Sequence, residues 1–440
     1  MGTAATDLPG VTGKQEIAPL RFVTAASLFD GHDAAINIMR RLIQAQGAEV
    51  IHLGHNRSVD DIVRAAIQED ADGIAISSYQ GGHIEFFKYM IDRLNELGAS
   101  HIKVFGGGGG TITPEEIRTL MDYGVERIYH PHDGMELGLE AMIADLIERT
   151  VVARQATGVK STGVASVDIA ATISAIEERV FDDGELNQLR KEWRMQAGQV
   201  PVIGITGTGG AGKSSVTDEI LNRFLTCFPD MRIAVLAVDP TRRRTGGALL
   251  GDRIRMNSLR SDRIYMRSIA TRRQHLATSA MLGDHILFLK ASGFDLVIVE
   301  TAGIGQSASE IVDMVDFSVY VMTSEYGAAS QLEKIDMLDF ADLVVLNKYD
   351  KRGAEDALRD VRKQWKRNHV AFTVADEDVP VYPTIASQFN DPGVSWMFSE
   401  LCRRVAERVE LDAAKWTPDI DTSNRESRST AMIPGARIRY

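Results

Sequence analysis

Residues 201–225, PVIGITGTGGAGKSSVTDEILNRFL, decide the fold of the half of the chain that contains them. A short apolar run is followed by a glycine-rich stretch and then by apolar residues at helical spacing, which predicts strand, tight loop and helix in that order. Gly207 to Ser214 read G-x-x-x-x-G-K-S, the phosphate-loop pattern in the setting it requires. Gly207, Gly209, Gly210, Ala211 and Gly212 let successive backbone amides converge on phosphate oxygens, and the following helix presents its positive end. Lys213 is placed to reach the outer phosphates. The Ser214 hydroxyl is placed to meet Mg²⁺.

Outward from this loop, the apolar runs PVIGITG, RIAVLAVD, FDLVIVE, FSVYVMT, DLVVLNK and PVYPTIA alternate with helical segments from Pro201 to about Asp412. That alternation predicts a doubly wound α/β domain. VVLNKYD supplies Asn347, Lys348 and Asp350 as N-K-x-D at a strand end, where the Asp350 carboxylate can accept two hydrogen bonds from guanine. A site built on such bonds rejects an analogue lacking them by about 10⁴–10⁵, so GTP and GDP are expected in place of ATP. Glu300 closes FDLVIVE and opens ETAG, with Thr301 beside it and Gly303 two residues further on. Asp239 and Asp252 are the other acids available to an Mg²⁺ shell. Arg255, one turn after Asp252, can counter phosphate charge, so Lys213, Glu300 and Arg255 form the expected catalytic set. Ile304 stands where a water-orienting glutamine is expected, and Gln306 lies two residues later. Slow intrinsic hydrolysis, accelerated by another domain or subunit, follows from that departure.

The first part of the chain repeats the alternation with RFVTAASL, AEVIHLG, DGIAISS, IKVFGG and ERIYH. These strands are too apolar to be half exposed, which predicts a parallel, flavodoxin-like domain over residues 20–150. Residues 151–200 read as a partly helical linker. ARQATGVKSTGVAS is aperiodic, after which Ser166 can cap a helix carrying Ile169, Ile173, Ile176 and Val180. The second domain then occupies 201–415, and the polar, aperiodic residues 416–440 read as a further linker. The expected fold class is therefore α/β, with two doubly wound parallel-sheet domains.

The net charge of -12 over 440 residues argues against a nucleic-acid partner. No apolar run approaches the roughly 18 to 20 residues that span a bilayer, and the N-terminus lacks a signal-peptide pattern, so a cytoplasmic protein with no membrane partner is expected. Cys227 and Cys402 lie far apart and outside any C-x-x-C, which favours buried small hydrophobes over a disulfide or thiolate metal site. Ten arginines fall between Arg242 and Arg273. They are either a solvated face or a segment that meets phosphate or a partner.

ASLFDGHDAAINIMRR, residues 26–41, places His32 between Asp30 and Asp33 where the first strand gives way to a helix. Open α/β sheets bind ligands at that edge, and a carboxylate beside a metal-bound imidazole fixes the ring and raises its basicity. Ser77 ends the third strand, where a receiver domain would need an acceptor aspartate. Gly106 and Gly107 at the fourth allow a bulky ligand close to the backbone. His52, His55, His83, His130 and His132 also lie near strand ends, so a zinc or nickel site is a competing reading.

The first-half combination resembles the D-x-H-x-x-G, S-x-L, G-G pattern of cobalamin-binding domains in B12-dependent mutases. The resemblance implies that the cofactor's nucleotide tail leaves cobalt and inserts beside the sheet, with His32 as lower cobalt ligand and Asp30 hydrogen-bonded to it. Ser77, Gly106 and Gly107 would line the tail pocket. Ala35 replaces the last glycine of the pattern and Tyr79 its leucine. GTGGAGKSS, GDRIRM, ETAGIGQS and NKYD resemble the GTPase chaperones that guard adenosylcobalamin mutases. Over about residues 20–415 the whole resembles the N-terminal portion of fused isobutyryl-CoA mutases.

That resemblance implies adenosylcobalamin, GTP or GDP, and Mg²⁺ as ligands. It also implies a radical interconversion of isobutyryl-CoA and n-butyryl-CoA, with GTP hydrolysis gating cofactor loading and repair. The implied partners are an acyl-CoA-binding (β/α)₈ barrel, in the same longer chain or a separate subunit, a second copy forming a homodimer, and a cobalamin-loading adenosyltransferase. Alone, these residues are expected to bind cobalamin and hydrolyse GTP without isomerising a thioester. The arginine-rich stretch becomes the interface through which nucleotide state is communicated. A stand-alone metal-insertion GTPase is the alternative. A non-catalytic B12 sensor fits less well, since it would carry a helical bundle ahead of Arg21.

Overall fold

The computed structural model describes residues 19–32, 34–156, 162–240, 248–271, 275–301, 312–326, 332, 335, 337–425 and 427. In the first half, Val23, Ile51, Ile74 and Val104 enter one apolar cluster, while Phe22, Val50, Ala75 and Phe105 enter another across the same sheet. Alternate residues thus bury on opposite faces, which explains why these strands read as unbroken apolar runs. The strands are β1 (Arg21–Ser27), β2 (Glu49–Arg57), β3 (Gly73–Ser77), β4 (Lys103–Gly107) and β5 (Arg127–Tyr129), parallel in the order β5-β4-β3-β1-β2. Helices α1 (Ala34–Ala45), α2 (Val59–Gln68), α3 (His83–Glu96), α4 (Pro114–Tyr123), α5 (Pro131–Leu137) and α6 (Leu139–Ala156) connect and cover them. Ser58 caps α2 by accepting from the Asp61 N–H, and Thr113 with Glu116 forms a capping box on α4. Strand order reverses between β1 and β3, which opens a crevice at their carboxyl ends.

Two helices follow, α7 (Ala165–Glu177) and α8 (Asp183–Gln196). Ile169, Ile173 and Ile176 bury as their spacing predicts. Val164, not Ser166, precedes the first turn of α7, and Val180 lies beyond its end, 53% exposed. The second sheet contains β6 (Val202–Gly207), β7 (Ile233–Pro240), β9 (Ile264–Thr271), β10 (Leu296–Thr301), β11 (Phe317–Thr323), β12 (Leu343–Asn347) and β13 (Val381–Pro383). Their order is β13-β12-β11-β6-β10-β7-β9, all parallel. Helix α9 (Lys213–Cys227) follows β6, and α10 (His275–Ala291) precedes β10. Cys402 is fully buried and Cys227 partly so; both are free thiols whose pKa burial pushes up. Among the described residues no helix is long and apolar enough to cross a membrane.

Two elements lie outside the expected alternation, both within the arginine-rich stretch. β9 is an edge strand whose Arg267 is 1% exposed. β8 (Leu249–Leu250) leaves the second half altogether and pairs in parallel with β2, Leu249 opposite Val50 and Leu250 opposite Ile51. The described arginines of this stretch therefore divide: Arg253 and Arg267 are buried between the halves, Arg263 is half-buried within the second half on the Phe228 and Leu225 carbonyls, and Arg255 and Arg260 are exposed.

The buried pair belongs to a cage of three arginines and three glutamates. Arg21 bonds Glu49 at 2.7 Å and Glu177 at 3.1 Å. Arg253 Nε bonds Glu69 at 2.6 Å, and Arg267 bonds Glu177 at 2.9 Å and the Glu69 carbonyl. Glu69 also accepts from the Ser268 hydroxyl at 2.9 Å. Burial alone would lower the Arg21 pKa, yet Glu177, Glu49 and Glu69 together hold it above its ordinary value. Breaking such a network strands an uncompensated charge. Arg267→Ala is expected to cost about 3–5 kcal/mol in urea unfolding of the chain. A loss under about 1 kcal/mol, the range of surface pairs, would show that the cage is hydrated in solution.

Candidate functional site

At the carboxyl ends of β3, β4 and β5, against α1 and α6, an apolar cavity of about 310 Å³ opens, walled by Ala35, Met39, Ala75, Ser77, Tyr129 and Leu146 among others. The Ser77 hydroxyl is buried on this wall and has no hydrogen-bond partner among the described residues, which leaves one buried polar group unsatisfied in a mostly apolar cavity. The backbones of Gly106 and Gly107 line it too. A Cβ on Gly106 would lie 2.4 Å from Phe87 Cζ and 2.6 Å from Ile128 Cδ1, inside the core. Gly106 is thus also required by packing, since its Cα side faces Phe87 of α3 and Ile128 of β5 while its backbone lines the cavity. A Cβ on Gly107 would meet only the Tyr129 carbonyl, at 3.5 Å.

His32 stands at the rim of this crevice. Asp30, 2% exposed, accepts from the His32 backbone N–H at 2.8 Å and pairs with His32 Nδ1 at 2.9 Å through one oxygen. Its other oxygen accepts from the Tyr79 N–H at 2.7 Å. The imidazole is 76% exposed, and Nε2 has no protein partner among the described residues. A buried carboxylate holding Nδ1 and leaving Nε2 available is the arrangement of a metal-ligating histidine. Asp33 lies outside the described residues. Of the other histidines considered for zinc or nickel, His52 meets the Thr24 hydroxyl at 2.9 Å, His83 the Gln80 carbonyl at 3.1 Å, His130 stacks on His132 and His55 is exposed, and no metal-holding group of three or more such ligands forms among the described residues.

Sequence reasoning missed Phe29 and Asn56. Phe29 has φ +64°, and its ring is 84% exposed. Its N–H is held by Asn56 Oδ1 at 2.9 Å, and Asn56 itself has φ +56°. A bulky residue held there costs about 1–3 kcal/mol, a strain typical of functional loops. Nothing in LFDG signals it, because the partner is contributed by β2.

The phosphate loop lies at the carboxyl end of β6 beside a cavity of about 410 Å³. Gly210, Gly212, Lys213, Ser214, Asp239, Arg255, Glu300, Thr301 and Lys348 line it together. Ser214 Oγ donates to Glu300 Oε1 at 2.9 Å, and Glu300 is 2% exposed. With Asp239 and Thr301 on the same wall, the oxygen donors suit a hard divalent cation. Lys213 Nζ rests on the carbonyls of Gly207 at 3.1 Å and Thr208 at 3.4 Å. Gly212 has φ +89°, and a Cβ there would sit 2.6 Å from Asn347 Nδ2. Gly207 is as tightly constrained, its Cβ falling 2.0 Å from the Val321 carbonyl, whereas Gly209 faces open space.

Asn347 does not line this cavity. Its amide donates to the Ala211 carbonyl at 2.8 Å and accepts from Ala386 N–H at 3.1 Å and Thr384 Oγ1 at 3.2 Å. It is a strut between the phosphate loop and β12, acting on the nucleotide site through the loop. Asp350 is exposed beyond β12 and is likewise not on the cavity wall. Asp252 opens the 3₁₀ turn Asp252–Arg255, but its side chain lies outside the described residues, as do Gly303, Ile304 and Gln306.

Fold and sites define a P-loop nucleotide-binding domain joined to an α/β ligand-binding domain that presents a carboxylate-held histidine. Residues 169–422 match the family model of the methylmalonyl-CoA mutase-associated GTPase MeaB, and residues 20–129 match that of the B12 binding domain. The chain belongs to the MeaB GTPase family and carries a B12-binding domain ahead of it. It is 52% identical to the fused isobutyryl-CoA mutase of Geobacillus kaustophilus over 96% of this chain, and 53% identical to that of Cupriavidus metallidurans over 100%. It spans 39% and 40% of those two relatives. A putative GTPase of Caulobacter vibrioides is 30% identical, over 61% of this chain and 92% of that protein.

Gly212→Ala adds a methyl group at a left-handed position against Asn347, at a cost of about 1–3 kcal/mol. A fluorescent GDP analogue is expected to bind this variant about tenfold more weakly or worse, each 1.4 kcal/mol being a factor of ten. Unchanged affinity would mean that the loop takes another shape around phosphate.

Proposed function

We propose that this chain is the cobalamin-binding and GTPase-chaperone portion of an adenosylcobalamin-dependent acyl-CoA mutase that interconverts isobutyryl-CoA and n-butyryl-CoA. GTP hydrolysis gates cofactor loading and repair. The observation that carries the reading is the Asp30–His32 pair, with Nε2 available at the rim of an apolar cavity whose buried Ser77 hydroxyl has no partner among the described residues. Residues 20–150 form the cobalamin unit, 151–200 the helical linker, 201–415 the GTPase and 416–440 the connection to a barrel.

When bound, the cofactor supplies a cobalt–carbon bond that can be cleaved homolytically. His32 Nε2 would ligate cobalt, and Asp30 holds the Nδ1 edge and the ring orientation. Ser77, with the backbones of Gly106 and Gly107, lines the tail pocket. In the GTPase, Ser214 and Glu300, with Asp239, Asp252 and Thr301, would hold Mg²⁺. Lys213 and Arg255 counter phosphate charge, Lys348 and Asp350 select guanine, and Asn347 braces the loop. The acyl-CoA barrel belongs to the same longer chain, a homodimer is the assembly, and an adenosyltransferase delivers the cofactor in the cytoplasm. No nucleic acid or membrane takes part.

An absorbance titration with adenosylcobalamin tests this. The unmodified chain is expected to give the spectrum of a histidine-ligated, tail-displaced cofactor, and His32→Ala is expected not to. Asp30→Asn should weaken binding about 10–100-fold, as loss of a metal ligand's carboxylate partner commonly does. Identical spectra for the chain and His32→Ala would overturn the reading.

A further inference from the structure

Between the nucleotide cavity and the His32 loop runs a short chain of contacts that neither site requires for its own chemistry. β1 and β2 pair Ala25 with Gly54 and then Ser27 with Arg57, so His55 and Asn56 together oppose the single residue Ala26. This is a bulge, a device that re-aims side chains beside functional sites. It turns the Asn56 amide onto the Phe29 N–H at 2.9 Å, immediately before Asp30.

The other side of the bulge meets the second half of the chain. Arg57 Nη2 donates to the Ile254 carbonyl at 3.2 Å, while Arg57 Nε holds the Leu53 carbonyl at 2.6 Å. Ile254 also lies over Gly54, where a Cβ would fall 2.7 Å from Ile254 Cδ1. Its neighbour Arg255 lines the nucleotide cavity with Lys213, Ser214 and Glu300. Upstream, β8 is already paired to β2. The segment Leu249–Arg255 thus follows β2 to its bulge and then forms a wall of the phosphate site.

We infer that Asn56 and Arg57 are positioning residues that tie the wall carrying Arg255 to the loop carrying His32, so that the γ-phosphate biases where the imidazole stands. The inference rests on the cobalamin and GTPase reading above and specifies its coupling. A γ-phosphate draws Arg255, Ile254 moves with it, Arg57 carries the shift to the bulge, and Asn56 passes it to the strained Phe29. Coupling of this kind requires an element whose arrangement both sites bias, and the bulge bonds the residue next to each site, Phe29 before Asp30 and Ile254 before Arg255.

The test uses the full chain with Mg²⁺ and either GDP or a non-hydrolysable GTP analogue. Hydrogen–deuterium exchange is read on the peptide from Ser27 to Ile36, and adenosylcobalamin affinity by absorbance. Each readout is expected to differ between the nucleotides by about fivefold or more. Arg57→Ala should bring both ratios close to one while fluorescent-GDP affinity stays unchanged. Asn56→Gly, which keeps the left-handed backbone without the amide, should do the same. Retention of the full exchange ratio by both variants, or no nucleotide difference in the unmodified chain, would overturn the inference. A nucleotide-dependent exchange ratio that Arg57→Ala abolishes, without any cobalamin spectrum, would support the relay and count against the cofactor reading alone.

Discussion

Glu69 ends α2 with its carboxylate sealed from water, and the groups that make this tolerable come from elsewhere in the chain. Arg253 and Ser268 approach from the second half, and Arg21 from the start of β1. Isolated in a dry interior this carboxylate would be prohibitively costly, so its burial demands that all three segments stand in one arrangement. Buried ion pairs add little net stability compared with well-packed apolar groups, but they penalise misplacement heavily. The cage therefore fixes how the two sheets meet.

The two sites use different local means to the same end, a small set of groups held ready before a ligand arrives. At the phosphate loop, readiness comes from missing side chains. Gly207 and Gly212 sit where a Cβ would strike Val321 or Asn347, and Asn347 braces the loop by its Ala211 carbonyl. At the His32 loop it comes from a buried acceptor. Asp30 collects two bonds from His32 and one from Tyr79, while Phe29 absorbs the backbone strain. Glycine suits an anion that binds to backbone amides; a carboxylate suits a ring nitrogen that must keep its other edge available.

Much of this was legible in the sequence because burial on both sheet faces leaves unbroken apolar runs. Eleven strands were expected from such runs. β8 and β9 were not, and the reason is physical: β9 carries Arg267 in mid-strand, which is admissible only because Glu177 and the Glu69 carbonyl lie within reach. β8 has two residues and no period of its own, and its existence is a property of β2. Motif spacing placed Lys213, Ser214, Asp239 and Glu300 on one wall, since strand ends of a parallel sheet converge. It could not show that Asn347 turns away to the loop, that Gly106 serves Phe87, or that Phe29 is strained against Asn56. Each of those depends on a neighbour supplied by a different strand or helix.

The distribution of charge within the cage bears on whether the halves are separable modules. The first sheet and α2 contribute one arginine against two glutamates, α7 contributes a third glutamate, and the second half contributes two arginines. No segment is neutral in its own contribution; only their sum is. Separation would leave an acid excess on one surface and a basic excess on the other, and the first half's core would lose the apolar cover that Leu250 and Ala270 now provide. The arginine-rich stretch, read from sequence as either solvated or partner-facing, is therefore partner-facing in its buried members, and the partner is the same chain. Contact between the two units is then favoured by electrostatics as well as held by covalent linkage, and the segment that forms the nucleotide wall is seated on the domain that carries His32.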